Sequence, residues 1–387
     1  MGHYILDNAV IYTEQGKIEN GYIEIQDGYI QDIQDIQEGS YSGNLEVVDV
    51  NGQHIIPGFI DIHIHGGYGQ DAMDATPETL NILSENLLSE GTTSFLATTM
   101  TQSSEAINKA LQNVAEYKPL DDKRAEILGV HLEGPFISEH KVGAQNPKYV
   151  ARPSVAKFEA FQSVAKDKIK IITIAPEVEG AKETIQALND KVIFSAGHTI
   201  TDYDGIEEAV DNGLQHITHL YNAQTTFTHR EPGVFGAALT DERLTTEVIV
   251  DGVHSHPASV KLAYLSKGNK NFCVITDAMR AKGMKDGEYD LGGQNVHVKD
   301  HEARLENGSL AGSILLMNKG LKNLMNYANI PLEEAWRTTS LNQAIRLNVE
   351  DRLGSIKKGK QADLVIVDSE INVLTTIKKG YIIDNEQ

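Results

Sequence analysis

Two histidines, His63 and His65, stand two residues apart beside Asp61 in the segment DIHIHGGYG. Side chains two apart in a β-strand point to the same face, so a strand would bring both imidazoles together. Two imidazoles on one face suit a metal ion better than a hydrophobic core. A single H-x-H is equally compatible with two histidines on a surface loop, so the interpretation depends on the rest of the chain.

The elements around this pair follow a repeating pattern. Short β-rich segments alternate with longer segments of helical periodicity, and the first of these helices has Thr76 as a cap, Pro77 at its first position and Gly91 as a stop. Alternation of this kind predicts an α/β fold, a (β/α)₈ TIM-like barrel, over residues 58–345. The eight predicted strands are residues 59–65, 92–99, 126–133, 169–177, 191–198, 215–222, 246–254 and 271–278.

Polar side chains stand at the ends of most of these strands. The C-terminal strand ends form one face of such a barrel, so these side chains should lie together although they are far apart in sequence. A single histidine at a strand end is more often a packed core residue, but the repeated placement indicates a shared site and identifies the first pair as metal-binding. The residues are His63, His65, Glu133, His198, His219, His254 and Asp277.

Several other histidines do not fit this placement. His216 lies three residues before His219 and should face the opposite way in a strand. The others fall in predicted loops or outer segments and are expected to be solvated, namely His3, His54, His140, His229, His256, His297 and His301.

Composition and charge limit the function classes. The 387 residues include 34 basic and 55 acidic ones, a net charge of −21, which disfavours nucleic acid and anionic membranes as partners. An anionic substrate would therefore need a local basic site. The lack of a long apolar run or signal peptide and the single Cys273 predict a soluble, cytoplasmic protein without an internal disulfide.

Both ends of the chain differ from the barrel. Residues 1–57 and 346–387 contain short alternating strands joined by glycine and aspartate turns, which predict one small β-sandwich domain built from both termini. Residues 286–310 predict a β-hairpin insertion after the eighth barrel strand.

An ordered set of segments resembles the N-acetylglucosamine-6-phosphate deacetylases of the amidohydrolase superfamily: PGFIDIHIHG, HLEGPF, SAGHT, THLYNA, REPG, DGVH, VITDAM and LAGS. The resemblance implies that Glu133, His198 and His219 hold one divalent metal ion. It further implies that His63 and His65, with Glu133 bridging, hold a second ion. Some members lack the first histidine pair and hold one ion, whereas this sequence retains it, so the resemblance implies two ions per subunit. Imidazole and carboxylate ligands fit Zn or Fe.

The resemblance also implies a reaction. A divalent ion lowers the pKa of a bound water from ~15.7 to about 7 and so supplies a nucleophile at neutral pH. Asp277, which could also be a metal ligand, would accept the proton of that water and deliver it to the leaving sugar nitrogen. The implied activity is hydrolysis of N-acetyl-D-glucosamine 6-phosphate to D-glucosamine 6-phosphate and acetate, in amino-sugar catabolism.

The same resemblance carries over a set of substrate contacts and a homodimer in which Arg230 reaches the neighbouring active site. Asn222 and Ala223 would offer backbone N–H groups to anionic oxygens. Gln145 departs from the pattern, because several relatives have a histidine there and glutamine cannot be cationic. The set is Ala144, Gln145, Asn222, Ala223, Arg230, Asp251, His254, Leu310, Ala311 and Gly312.

Two alternative functions stay open. One is another amidohydrolase acting on a cyclic amide or a different N-acyl sugar. The fourth predicted strand has no lysine at its end before Lys182, which disfavours the dihydroorotase-like members that carboxylate one there. The other alternative is a catalytically inactive barrel that acts as a binding protein, and the presence of the full ligand set disfavours it.

Overall fold

The computed structural model describes residues 2–36 and 45–384, so parts of the predicted terminal domain (residues 1, 37–44 and 385–387) lie outside the described residues. The long first strand pairs antiparallel with the second, and it pairs in parallel with the fourth and fifth along its two halves. The N-terminal strands are β1 (His3–Thr13), β2 (Gly16–Gln26), β3 (Tyr29–Asp35), β4 (Glu46–Asp49) and β5 (His54–Pro57).

The central region contains the barrel. Within residues 45–384, eight of its strands pair in parallel, each with the next barrel strand along the chain, which confirms the predicted alternation. The strands are β6 (Phe59–Ile64), β7 (Gly66–Gly67), β8 (Gln70–Asp71), β9 (Thr92–Thr99), β10 (Glu126–Glu133), β11 (Ile169–Ile174), β12 (Ile193–Ala196), β13 (His216–Ile217), β14 (Thr245–Ile249) and β15 (Phe272–Ile275).

Helices separate the barrel strands. The first begins as the sequence predicts, since the Thr76 side chain accepts a hydrogen bond from the backbone of Thr79 and Pro77 occupies the first turn. No helix within residues 2–36 and 45–384 is both long and apolar enough to cross a membrane. The α-helices are α1 (Pro77–Asn86), α2 (Ser104–Glu116), α3 (Val155–Val164), α4 (Ala181–Leu188), α5 (Tyr203–Asp211), α6 (Gly233–Thr240), α7 (Pro257–Lys267), α8 (Met317–Ala328), α9 (Leu332–Ala335) and α10 (Leu341–Arg346).

Two hydrophobic clusters lie on the two faces of the barrel sheet. Phe95 and Val274 belong to the large cluster shared with the helices, whereas their neighbours Leu96 and Ile275 belong to a separate one. Since successive residues of a strand point to opposite faces, the second cluster fills the inside of the closed sheet. Cys273 is part of this inner cluster and is fully buried.

The barrel closes between its first and last strands. Ile64 and Ala278 form a parallel bridge. The backbone N–H of Asp277 donates to the carbonyl of His63 at 2.8 Å, and that of His65 donates to Ala278 at 2.9 Å. Closure therefore brings the ends of the first and eighth barrel strands side by side.

The last strands build the remaining sheets. The strand β19 (Leu364–Val367) pairs with β5. Both termini therefore form one sheet around a cluster that includes Leu6, Ile55 and Leu364, as the fold prediction requires. The predicted insertion contains a third antiparallel strand beyond the expected hairpin. These strands are β16 (Gly287–Leu291), β17 (Gln294–Lys299), β18 (Glu302–Leu305), β19 (Leu364–Val367), β20 (Val373–Lys378) and β21 (Tyr381–Asp384).

Candidate active site

The candidate ligands lie at or just beyond strand ends. Glu133 is the last residue of β10, and His198, His219 and Asp277 each follow their strand by two residues. These three have φ angles of 49°, 29° and 48°, in the left-handed region that residues other than glycine rarely adopt. Such conformations persist at functional sites where the surrounding structure enforces them.

Glu133 lies at the centre of the group. Its Oε1 is 3.1 Å from His198 Nε2 and 3.0 Å from His219 Nε2. Its Oε2 is 3.1 Å from His65 Nε2. The carboxylate thus lies between the His198–His219 pair and His65, with His63 Nε2 3.6 Å from its Oε1, as a bridging ligand would.

Asp277 lies against the H-x-H pair. Its Oδ1 is 3.3 Å from His63 Nε2 and 3.1 Å from His65 Nε2. The Asp277 side chain is 12% exposed, whereas that of His63 is fully buried. The carboxylate therefore reaches both the imidazoles and the space above them.

The donor set fits divalent ions. Ligand atoms that surround one ion tetrahedrally at 2.0–2.2 Å lie about 3.3–3.6 Å from one another. The contacts between Glu133 and the four imidazoles span 3.0 to 3.6 Å. In addition, His63 Nε2 is buried and has no hydrogen-bond partner among the described residues, as expected of an atom reserved for a metal.

The charges at this centre support one another. Burial opposes a charged imidazole, but hydrogen bonds to Asp277 and Glu133 outweigh it and raise the pKa of His65 to about 10. Burial likewise opposes ionisation of Glu133, but the surrounding histidines outweigh it and hold its pKa well below the usual range. The cations that balance these carboxylates are protons or metal ions, which compete for the same Nε2 atoms.

Some residues of the centre were not predicted from the sequence. Oε2 of Glu247, inside β14, lies 2.9 Å from His63 Nδ1. The ring centroid of His131, inside β10, is 4.5 Å from that of His63, with the two rings tilted by 58°. His216, which was expected to face the opposite way from His219, is fully buried, and its Nε2 is 3.3 Å from Glu247 Oε1. The available signal was one acidic residue in an otherwise uncharged strand, TTEVI, since buried charges need partners.

A cavity of about 620 Å³ opens above the centre. Most of the substrate residues expected from the sequence line it, but Arg230, Asp251 and Ala311 do not. Ala311 is fully buried. The expected residues on the lining are Ala144, Gln145, Asn222, Ala223, His254, Leu310 and Gly312.

Two of these expected contacts have partners within the protein. Gln145 Nε2 donates to Glu133 Oε2 at 2.7 Å, and Gln145 Oε1 accepts from the Thr101 N–H at 2.7 Å. The backbone N–H of Asn222, expected to meet an anion, donates to the carbonyl of His219 at 3.0 Å. Gln145 thus contacts the central carboxylate of Glu133 directly.

His254 is held in place by Asp251. Asp251 Oδ2 lies 2.7 Å from His254 Nδ1, and Oδ1 accepts the backbone N–H groups of Val253 and His254 at 2.8 Å. Burial raises the pKa of Asp251, but these hydrogen bonds outweigh it and lower that pKa. Asp251 therefore orients the imidazole that lines the cavity.

Further basic groups on the lining were not expected from the sequence. Arg304, on β18, lines the cavity and donates to Glu302 at 2.6 Å and to the carbonyl of Gly308 at 2.7 Å. Lys141 also lines it, beside the exposed His140. Arg230 instead lines a second cavity of about 690 Å³, which shares Lys141 with the first.

Known proteins resemble this chain along almost its whole length. The model of the amidohydrolase family matches residues 54–383. An N-acetylglucosamine-6-phosphate deacetylase of Bacillus subtilis is 45% identical over 382 residues, which cover 98% of this chain and 96% of the relative.

Solved structures agree with these sequence matches. The crystal structure of N-acetylglucosamine-6-phosphate deacetylase from Pasteurella multocida has a TM-score of 0.93 at 31% identity and covers 99% of this chain and 100% of its own. A mutant of the N-acetyl-D-glucosamine-6-phosphate deacetylase from Mycobacterium smegmatis, solved with N-acetyl-D-glucosamine-6-phosphate, has a TM-score of 0.91 at 28% identity, covering 99% of each chain.

Proposed function

This chain belongs to the amidohydrolase family, and we infer that it hydrolyses the acetamide of N-acetyl-D-glucosamine 6-phosphate. The products are D-glucosamine 6-phosphate and acetate, and the role is in amino-sugar catabolism. The observation that carries this inference is the position of Asp277, within 3.3 Å of both His63 and His65 at the base of the cavity. A proton-accepting carboxylate beside a metal-type donor set is an arrangement that supports metal-dependent amide hydrolysis.

The metal centre is proposed to hold two divalent ions, Zn or Fe. Glu133, His198 and His219 hold one, and His63 and His65 share Glu133 for the other. The distances from the Glu133 oxygens to the imidazoles support this assignment. A divalent ion bound by these residues would supply a water whose pKa is lowered from ~15.7 to about 7, and hence a nucleophile at neutral pH.

Asp277 moves the proton in this scheme. It accepts a proton from the attacking water as the new carbon–oxygen bond forms. It then returns that proton to the sugar nitrogen as the carbon–nitrogen bond breaks, so that the amine leaves as a neutral group. The exposed fraction of its side chain supports this role, because the carboxylate is accessible from the cavity.

Recognition of the phosphate is proposed to rest on local basic groups. His254, Lys141 and Arg304 line the cavity, and each can offer N–H donors to anionic oxygens. Local donors are needed because the chain carries a net charge of −21. The loop of Leu310 and Gly312 lines the same cavity and is proposed to contact the sugar.

A homodimer is proposed to complete the site, with Arg230 of each subunit reaching the neighbouring cavity. Arg230 is exposed and lies outside the cavity of its own chain, in the one that shares Lys141. Phe227, close to it in sequence, is 53% exposed and would be covered by such an interface. A cytoplasmic location is proposed as well, since a single buried cysteine, Cys273, fits a reducing compartment.

The test combines metal content with product release. Acetate should be released from N-acetyl-D-glucosamine 6-phosphate in strong preference to the unphosphorylated sugar and to other N-acetyl sugars. Asp277→Asn should keep its metal and lose ~10²–10⁴ in turnover, the range for loss of a general acid/base. Preferred hydrolysis of a cyclic amide would favour the first alternative. Metal-loaded protein without any hydrolysis would favour an inactive barrel.

A further inference from the structure

A buried polar cluster lies behind the proposed metal ligands. It consists of His63, His131, His216 and Glu247, and each of these residues is fully buried. His63 also belongs to the metal centre, since its Nε2 lies 3.3 Å from Asp277 Oδ1. The His63 ring therefore connects the buried cluster to the site of catalysis.

Glu247 contacts two of the proposed ligands with one oxygen. Its Oε2 is 2.9 Å from His63 Nδ1 and accepts the backbone N–H of His219 at 3.2 Å. An ionised carboxylate can only accept, so His63 Nδ1 carries a proton and Nε2 is the nitrogen left to bind a metal ion in place of a proton. The contact fixes both the tautomer and the orientation of the ring.

The other two imidazoles of the cluster, those of His131 and His216, do not connect Glu247 to the proposed metal ligands as His63 does. His131 Nδ1 is 2.9 Å from the carbonyl of Ile62 and its Nε2 is 2.8 Å from Thr173 Oγ1, so both ring nitrogens have partners. These partners leave neither nitrogen for a metal ion. Glu247 Oε1 lies 3.8 Å from His131 and 3.3 Å from His216, both farther than the contact between Oε2 and His63.

The four proposed ligand histidines differ in what stands behind them. His198 Nδ1 lies 2.9 Å from the neutral carbonyl of Lys141. His65 Nδ1 and His219 Nδ1 are buried and have no hydrogen-bond partner within residues 2–36 and 45–384. Among the described residues, His63 is the one of these four histidines whose Nδ1 contacts a carboxylate.

We propose that Glu247 is a positioning residue that sets the affinity of the ion held by His63 and His65. It holds the His63 ring in one tautomer and adds negative charge behind it. The ion held by Glu133, His198 and His219 depends on it less, through the His219 backbone alone. This inference rests on the two-ion centre proposed above.

Substitution of Glu247 should affect the two ions unequally. Glu247→Gln keeps the shape and an acceptor but removes the charge, and loss of such a partner lowers metal affinity about 10–100-fold. Glu247→Leu removes the acceptor as well, so the loss should be larger. Glu247→Asp keeps the charge, and it should restore part of the affinity.

The experiment measures binding rather than activity. Metal-free protein is titrated with Zn²⁺ against a competing chelator, and the ions retained per chain are counted by elemental analysis after gel filtration. Wild type should retain two ions. Glu247→Gln should retain one tightly bound ion and bind the second about 10–100-fold more weakly.

Glu90→Gln provides the matched control. Glu90 is also buried in the barrel, but it pairs with Lys282 at 2.5 Å and contacts none of the proposed ligands. Its loss should lower thermal stability without changing either affinity. Equal loss of ions in both variants, or wild-type affinities in Glu247→Gln, would overturn the proposal. A wild-type chain that binds no ion would overturn the two-ion centre and this inference with it.

Discussion

Gln145 offers a direct test of how the bridging carboxylate is held. Sequence resemblance suggested a sugar contact, but the buried side chain donates to Glu133 Oε2 and accepts from Thr101, both at 2.7 Å. If these bonds persist when substrate is bound, Gln145 acts through Glu133. Its removal should then weaken metal binding rather than binding of the sugar.

The magnitude follows from the bond that is lost. A hydrogen bond to a charged group contributes about 1.5–3 kcal/mol. At about 1.4 kcal/mol per factor of ten, Gln145→Ala should weaken ion binding roughly 10- to 150-fold. The N–H of Thr101 also loses its acceptor, which adds to the cost in protein stability but not in sugar binding.

The assay separates the two roles by adding metal. Turnover of Gln145→Ala is measured against substrate concentration at low and at saturating Zn²⁺. Rescue by excess metal with KM near that of wild type is expected. Gln102→Ala is the control, because Gln102 donates to the carbonyl of Gly292 and does not contact Glu133. An unchanged metal affinity with a raised KM would refute the reasoning and restore the sugar contact.

Four further predictions concern Glu133, Arg230, the proposed dimer and the buried pair of Lys282 with Glu90. Glu133→Gln should lower the metal content by elemental analysis and abolish acetate release, because both ions share that carboxylate. Arg230→Ala should reduce kcat/KM for the phosphorylated sugar and leave the unphosphorylated sugar nearly unaffected. Mixing Arg230→Ala with Asp277→Asn chains should restore activity if the arginine acts across a dimer. Lys282→Met should lower the free energy of unfolding in denaturant by about 3–5 kcal/mol, because Glu90 is left as an unpaired buried charge.

Much of the barrel could be predicted because its signals are local. The segment that became β9 is a run of eight β-forming residues, all buried, and the cap at Thr76 and the stop at Gly91 fix the helix before it. Pairing between distant strands has no such signal. Hydrophobic periodicity indicates that β5 and β19 are strands, but it does not indicate that they pair with each other. The third strand of the insertion was not predicted because its segment, EARL, contains few β-forming residues.

Some residues of the site could likewise be predicted from the sequence, and others could not. His198, His219 and Asp277 were found because the ends of parallel strands meet at one face. Glu247 and His131 lie inside strands, where a polar side chain is more often a local packing feature. Lys141 and Arg304 enter the cavity from loops and the insertion, so their positions depend on tertiary packing rather than on strand order.

The position of Asp277 shows how the barrel itself supports the chemistry. Its N–H donates to the carbonyl of His63 and its carbonyl accepts from Ser313, both at 2.8 Å, so closure of the barrel fixes the carboxylate beside the imidazoles. The proposed proton acceptor and the proposed metal ligands thus belong to one hydrogen-bonded unit. Arg304, by contrast, comes from a partly exposed insertion that can vary without disturbing the sheet. We therefore expect related enzymes with different sugar preferences to differ in these loops, whereas the strand ends that perform the hydrolysis stay the same.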